Sequence, residues 1–107
     1  MKLYPKVSVI TPSYNSEKYI ECAIKSVLLQ HYPNFEHIIV DGNSSDGTIE
    51  ILKKYPHLTW LSEPDQGQSD AMNKGFNLSR GKIIVYLNAD DYFEQGATSI
   101  GQTSLHK

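Results

Sequence analysis

The chain has 107 residues, of which 39% are hydrophobic and 21% charged, and its net charge is −2. This length allows one domain with a single core. A charge so near neutrality, without a basic run, argues against a nucleic-acid partner and a membrane-binding surface. No signal-peptide-like or long apolar segment occurs, so we expect a cytoplasmic protein. Cys22 falls inside a helical pattern and is predicted to be a small buried hydrophobe without a disulfide partner.

The first half of the chain predicts a strand, a helix and a second strand. Val7–Thr11 is β-branched and stopped by Pro12, as expected of a strand. Asn15 or Ser16 is expected to cap the helix that follows, which should end near Gln30. One apolar face at helical spacing marks this helix, formed by Ile20, Ala23, Ile24, Val27 and Leu28. Phe35–Asp41 follows as a strand whose apolar centre suits burial on both faces.

The second half repeats this alternation. Residues 42–47 form a polar loop in which Asp46 is the expected N-cap of a short helix, closed by Pro56. Leu58–Leu61 is a third strand. A third helix runs through Ala71, Met72, Gly75 and Leu78, and Gly81 is its expected C′ residue. Lys82–Leu87 is the fourth strand.

The order βαβαβαβ predicts an α/β fold, a three-layer Rossmann-like unit with a mainly parallel sheet. We place the domain at residues 1–97. Residues 98–107 contain few apolar side chains and are expected to be a tail, either frayed or left by a natural domain that continues further.

Polar and acidic residues follow three of the four predicted strands. They are residues 12–15, residues 41–46 and residues 88–91. Because the carboxyl ends of parallel strands share one edge of a sheet, these segments should converge on one crevice. Adjacent carboxylates such as Asp90 and Asp91 are costly at low dielectric unless a cation offsets them. They therefore indicate a divalent metal with a phosphorylated ligand, and the alternative is a pair of turn or cap residues.

Several of these residues also have purely structural interpretations. Tyr14 could cover the sheet edge as well as stack on a base, and Asp41 could serve a turn as well as a ligand. Asp70 and Lys74 would equally suit the exposed face of a helix. The sequence contains no G-x-G-x-x-G after the first strand, no P-loop motif and no histidine spacing typical of zinc sites.

Five segments in chain order resemble one enzyme family. They are residues 7–15 (VSVITPSYN), 38–48 (IIVDGNSSDGT), 62–67 (SEPDQG), 70–75 (DAMNKG) and 87–91 (LNADD). Over roughly residues 6–96 the chain is similar to the N-terminal, nucleotide-sugar-binding half of the family 2 inverting glycosyltransferases, which have the GT-A fold. Each motif alone is weak, but the ordered set is specific.

The resemblance implies a UDP-, GDP- or dTDP-sugar donor bound with Mn²⁺ or Mg²⁺. Asp90 would be the metal ligand with Asp91 beside it, at the position of the family's D-x-D motif. Pro12 and Tyr14 match the nucleoside pocket, and Asp41 matches the first Asp of the family's D-D-G-S. The donor-binding residues implied are Pro12, Tyr14, Asn15, Asp41, Asp70, Lys74, Asn88, Ala89 and Asp90.

The chain departs from the family pattern in three places. Asn88 replaces the first Asp of D-x-D, so that contact loses its charge. Gly42 stands at the second Asp of D-D-G-S, a position associated with reading the base. No residue after Asp91 matches the Asp or Glu general base that deprotonates the acceptor, so we expect the catalytic base to lie beyond this chain.

The resemblance implies transfer of a sugar to an acceptor hydroxyl with inversion, in surface polysaccharide biosynthesis. The acceptor would be a saccharide or a lipid-linked saccharide, and the full enzyme could associate peripherally with the cytoplasmic face of the inner membrane. One alternative is a non-catalytic α/β fragment or interaction module that forms a homodimer through an exposed strand edge. A weaker alternative is a response-regulator-like domain with an acidic Mg²⁺ pocket.

Overall fold

The structure is a computed structural model that describes residues 4–90. The predicted tail at residues 98–107, the domain boundary at residue 97 and the expected metal ligand Asp91 lie outside the described residues. The strands are β1 (Val7–Ser13), β2 (Phe35–Asp41), β3 (Leu58–Ser62) and β4 (Ile83–Tyr86). The helices are α1 (Ile20–Leu28), α2 (Thr48–Leu52) and α3 (Gln68–Leu78).

The four strands form one parallel sheet in the order β3-β2-β1-β4. Val7 pairs with Phe35 on one side and with Ile83 on the other, so β1 lies inside the sheet. The chain adds strands outward from β1 to β3 and then crosses back to place β4 on the far side of β1. Such a reversal of strand order opens a crevice at the carboxyl ends of the two strands that flank it, here β1 and β4.

Helices cover both faces of the sheet, which confirms the predicted α/β class. On one face Ile20 and Ile24 of α1 and Leu52 of α2 pack around Ile39. On the other face Ala71 of α3 joins a buried cluster with three sheet residues, which are Ile10, Ile38 and Val40. The apolar residues of β2 therefore pack against helices on both faces of the sheet, as the absence of alternating polar residues predicts.

Strand β1 extends further than predicted. It continues through Pro12 to Ser13, and Pro12 is in register with Val40. β1 pairs with β4 only as far as Ile10. Pro12 has no N–H, but it lies where β1 has a neighbouring strand on one side only, and the ladder tolerates it there. The prediction that Pro12 stops the strand was wrong.

The burial prediction for Cys22 was also wrong, since its side chain is exposed. Within α1 the buried face passes through Ile20, Ala23, Ile24 and Val27, so Cys22 points away from the sheet. Helical spacing identified four of the five residues predicted on this face, but Leu28 is 37% exposed. Cys22 does not belong to the buried face.

The predicted helix caps differ from those observed. Helix α1 begins later than expected, with Tyr19 at the N-cap and no side-chain cap, so neither Asn15 nor Ser16 caps it. At α2 the N-cap position is Gly47, although Asp46 one residue earlier accepts the Thr48 N–H through Oδ1 at 3.0 Å. Helix α3 ends at Leu78, and its C-cap residue Ser79 has extended backbone, so Gly81 is not the C′ residue.

Gly81 serves a different purpose from the one predicted. A Cβ on Gly81 would lie 2.5 Å from Ser8 Oγ and 2.7 Å from the Ser8 backbone nitrogen. Its own N–H donates to Ser8 Oγ at 2.8 Å. Glycine is therefore required for the close approach of the α3–β4 connection to β1, which brings β4 into the sheet.

No helix within residues 4–90 is long and apolar enough to cross a membrane.

Candidate functional site

An open cleft of about 800 Å³ lies at the carboxyl ends of the strands. Its walls come from the segments that follow β1, β2, β3 and β4, as parallel topology requires. The lining residues are Pro12, Ser13, Tyr14, Asn15, Ser16, Tyr19, Gly42, Asn43, Pro64, Asp65, Gly67, Gln68, Ala71, Asn88, Ala89 and Asp90. The structure thus brings together six of the nine residues that we predicted to bind a donor.

The segment after β1 forms an aromatic wall of the cleft. Tyr14 is 63% exposed and Tyr19 is 54% exposed, and both line the cleft. Among residues 4–90 neither ring stacks on another aromatic side chain. An exposed aromatic face beside a polar crevice is suited to stacking against a planar heterocycle. This placement argues against Tyr14 as a mere cover of the sheet edge.

Asn15 holds the aromatic wall to the loop after β2. Its backbone is left-handed, with φ of 47°, a conformation that asparagine tolerates better than most residues. Its Oδ1 accepts the Ser45 N–H at 2.8 Å, and its own N–H donates to Ser44 Oγ at 2.7 Å. The β1–α1 and β2–α2 loops therefore form one hydrogen-bonded unit.

Asp41 lies beneath the cleft and is completely buried. Its Oδ1 accepts hydrogen bonds from the hydroxyls of Ser13 (3.1 Å) and Ser44 (2.6 Å). Its Oδ2 accepts from the Ser44 N–H (2.7 Å) and the Ser62 hydroxyl (2.8 Å). A buried carboxylate needs such donors to offset its lost hydration. Asp41 thus joins the ends of β1, β2 and β3, and it is not among the lining residues.

Asp70 and Lys74 also lie outside the lining, on α3. Lys74 Nζ lies 2.8 Å from Glu63 Oε2 and 3.5 Å from Asp70 Oδ2, and it donates to the Pro64 carbonyl at 3.1 Å. The hydrogen bond to Glu63 raises the pKa of Lys74, and the Asp70 carboxylate adds to this effect. Asp70 Oδ2 in turn accepts the Gln66 N–H at 3.0 Å. The two side chains brace the β3–α3 loop.

The β3–α3 loop contributes residues that our sequence interpretation did not select. Asp65, Gly67 and Gln68 all line the cleft. Gly67 has φ of +108°, a conformation that favours glycine, directly before α3. The signal available in the sequence was positional, because this loop follows a strand of the same parallel sheet and must open onto the same edge.

The segment after β4 closes the other side of the cleft. Asn88 is half-buried and its Oδ1 accepts from Gln68 Nε2, which links β4 to the start of α3. Asp90 is exposed and lines the cleft. Within residues 4–90 no three acidic, histidine or cysteine side chains gather as a metal site. One carboxylate fits Mg²⁺ or Mn²⁺ where ligand phosphates and water supply the other oxygens, so the donors present fit such an ion.

Comparison with known families gives one match that spans most of the chain. The model of the family "Glycosyl transferase family 2" matches residues 8–99. The matched range contains every segment that lines the cleft.

Among curated proteins the chain is similar to TuaG of Bacillus subtilis (strain 168), a glycosyltransferase assigned to teichuronic acid biosynthesis. The two are 42% identical over 97 residues, which are 85% of this chain and 38% of TuaG. The chain therefore spans well under half the length of this relative.

Two solved structures show the same architecture with ligands. TarS residues 1–349 of S. aureus in complex with UDP-GlcNAc has a TM-score of 0.76 and 33% identity, covering 84% of this chain and 28% of that one. The mannosyltransferase PcManGT from Pyrobaculum calidifontis, in complex with GDP-Man and Mn²⁺, has a TM-score of 0.79 and 31% identity, covering 85% of this chain and 29% of that one.

Proposed function

The chain belongs to glycosyl transferase family 2, and from that membership we propose that its cleft binds the nucleoside diphosphate of a sugar donor for glycosyl transfer. The observation that carries the proposal is that the exposed ring of Tyr14 and the exposed carboxylate of Asp90 line the same cleft. A nucleotide needs both kinds of contact, because its base stacks on an apolar face and its diphosphate requires a cation. The UDP-GlcNAc and GDP-Man bound by TarS and PcManGT support this assignment.

In this proposal the described residues bind and orient the donor. Pro12 and Tyr14 hold the nucleoside against the end of β1, and Asn15 fixes the position of that wall. Asp41 acts from below the cleft, because its four hydrogen bonds hold three strand ends in place. Precise placement of a donor is itself a large part of a transfer reaction's rate enhancement.

Asp90 is the proposed ligand of Mn²⁺ or Mg²⁺, and Asn88 lines the same cleft two residues earlier. The ion would neutralise charge on the departing nucleoside diphosphate. Asn88 carries no charge and already accepts a hydrogen bond from Gln68. We therefore propose that Asp90 supplies the metal carboxylate within residues 4–90.

We propose an acceptor hydroxyl on a growing surface polysaccharide, supported by the biosynthetic assignment of TuaG. Inversion requires a general base on the side of the sugar opposite the leaving group. The proposal places that base outside residues 4–90, because the lining carboxylates Asp65 and Asp90 both border the nucleotide.

Isothermal titration of the chain with UDP, GDP and dTDP, each with and without Mn²⁺, tests this proposal. We expect binding of at least one nucleotide that weakens strongly when EDTA removes the metal. Asp90→Ala should abolish the metal dependence. The matched control is Glu50→Ala, which removes an exposed carboxylate on α2 away from the cleft. Absence of metal-dependent binding for all three nucleotides would overturn the proposal.

A further inference from the structure

The carboxylate of Asp65 occupies the space that a side chain on residue 42 would fill. A Cβ built on Gly42 would lie 3.0 Å from Asp65 Oδ2 and 3.2 Å from Asp65 Oδ1. Both residues line the cleft. The absence of a side chain at position 42 therefore gives the Asp65 carboxylate room at the end of β2.

Asp65 has one oxygen engaged by the protein and one open to a ligand. Its Oδ1 accepts the Gly67 N–H at 3.1 Å, which orients the carboxylate. Within residues 4–90 no hydrogen-bond donor is directed at Oδ2, although Asp65 is half-buried. A partly desolvated carboxylate oxygen without a donor is a strong acceptor for a ligand N–H.

The loop that carries Asp65 is held in place from the side away from the cleft. Lys74 contacts Glu63 and the Pro64 carbonyl, immediately before Asp65 in the chain. Asp70 accepts the Gln66 N–H immediately after it. An acceptor fixed on both sides discriminates between ligands better than a mobile one, because little ordering entropy is lost on binding.

Asp65 and the proposed metal ligand Asp90 lie at different positions along the carboxyl edge of the sheet. Asp65 lies against the end of β2, whereas Asp90 follows β4, and β1 lies between those strands. Two strand spacings amount to about 10 Å. The cleft can therefore hold the diphosphate of one nucleotide beside Asp90 and its base beside Asp65. The aromatic wall, which follows β1, lies between these two positions.

We propose that Asp65 determines nucleobase specificity by accepting a hydrogen bond from the ring N–H of the base. This inference rests on the proposed function. A carboxylate accepts hydrogen bonds and donates none. Uracil, thymine and guanine present a ring N–H on their pairing edge, whereas cytosine and adenine present a bare ring nitrogen there. The site therefore favours UDP-, dTDP- or GDP-linked donors over CDP and ADP.

The first test compares UDP and CDP in the presence of Mn²⁺, by titration of the wild-type chain and of Asp65→Asn. The amide is nearly the same size, retains an oxygen for the Gly67 N–H and presents an NH₂ group in place of Oδ2. We expect the wild type to prefer UDP over CDP by about tenfold to a hundredfold, the range of one hydrogen bond to a charged group. Asp65→Asn should reduce this preference by at least about tenfold.

A methylated nucleotide isolates the hydrogen bond from other effects. UDP methylated at N3 of uracil lacks the ring N–H, so wild-type affinity should fall by about tenfold or more. Asp65→Asn should lose far less on methylation. Glu50→Gln, which removes one exposed carboxylate elsewhere, should behave as the wild type with all three nucleotides.

Relocating the carboxylate gives a second, independent variant. Asp65→Ala should lose the UDP preference, and the double variant Gly42→Asp, Asp65→Ala should regain part of it, because the new side chain enters the vacated space. If wild type and Asp65→Asn show the same UDP-to-CDP ratio while binding stays metal-dependent, the role of Asp65 is refuted and the donor-site proposal stands. If no nucleotide binds, both proposals fail.

Discussion

At the scale of single residues, the core contains a polar pair that the hydrophobic pattern of β2 does not reveal. His37 is completely buried, and its Nε2 lies 2.8 Å from Thr11 Oγ1. His37 Nδ1 is buried with no hydrogen-bond partner among the described residues. Burial lowers the pKa of His37 to about 3, and nearby His57 adds to this effect. The imidazole is therefore neutral in the folded chain at any pH near neutrality.

This buried imidazole makes stability depend on pH. Between its unfolded pKa near 6.5 and its folded pKa of about 3, the unfolded chain binds a proton that the folded chain does not. Stability is thus complete above about pH 6.5 and declines as the pH falls toward 3. At pH 5 the loss should be on the order of 2 kcal/mol relative to pH 7.5.

Urea denaturation at both pH values measures this loss in the wild type, in His37→Asn and in His57→Gln, which shows how much of the loss His57 contributes. His57 is exposed, although partial burial also lowers its pKa. We expect His37→Asn to be less stable at pH 7.5 but to lose much less stability on acidification. Equal pH dependence in wild type and His37→Asn would contradict the assignment.

At the scale of elements, the packing of α3 on the sheet depends on Gly75. A Cβ at this position would lie 2.3 Å from Ile10 Cγ2 and 3.4 Å from Val40 Cγ2. Helix α3 would then have to move away from β1, or Ile10 would have to shift. Gly75→Ala should therefore destabilise the chain by about 1–3 kcal/mol through overpacking, despite the better helix propensity of alanine.

The urea midpoint of Gly75→Ala measures this effect against Asn77→Ala, a change on the exposed side of the same helix. Asn77→Ala gains the helix propensity of alanine without a clash and should be neutral or slightly stabilising. If Gly75→Ala also proves neutral, the close approach of α3 to Ile10 is not rigid.

The elements themselves were predictable from the sequence, because hydrophobic spacing reports which face is buried. All seven helices and strands occur in the expected order, and the carboxyl-end crevice follows from parallel topology. The caps and the β1 boundary were not predictable, since they depend on partners far along the chain. Gly81 illustrates the difficulty, because its close neighbour is Ser8 at the other end of the described residues.

The location of the candidate site was predictable from the sequence, but the role of each residue within it was not. Asp41 ends β2 and Asp65 follows β3, so in the sequence both are acidic residues near the carboxyl end of a strand. Only the fold shows that serine hydroxyls surround the first while the second has an open oxygen. Such assignments depend on side-chain direction at a shared edge, which neither spacing nor composition encodes.

At the scale of the whole molecule, a donor nucleotide should stabilise the fold. A ligand at 100 times its Kd adds about 2.7 kcal/mol to the free energy of unfolding. For a domain of this size that corresponds to a rise in Tm on the order of 10 °C. Thermal denaturation followed by circular dichroism, with UDP and Mn²⁺ added together and separately, measures the rise.

We expect the full rise only with both ligands in the wild type, and at most a small rise in Asp90→Ala. A similar rise in Asp90→Ala would show that the nucleotide stabilises the chain without the proposed metal ligand.

The pairing of β4 with β1 also has a consequence for how the chain folds. The first three strands and their two helices are contiguous in sequence, whereas β4 must return across the whole described chain to reach Val7. Contacts between such distant segments form slowly, because the entropy of closing a long loop is lost before the contacts contribute any stabilising energy. Asn88 and Asp90 reach the cleft only when β4 docks. The ability to bind a nucleotide should thus be the last property that the folding chain acquires, and a fluorescent nucleotide would report that final step.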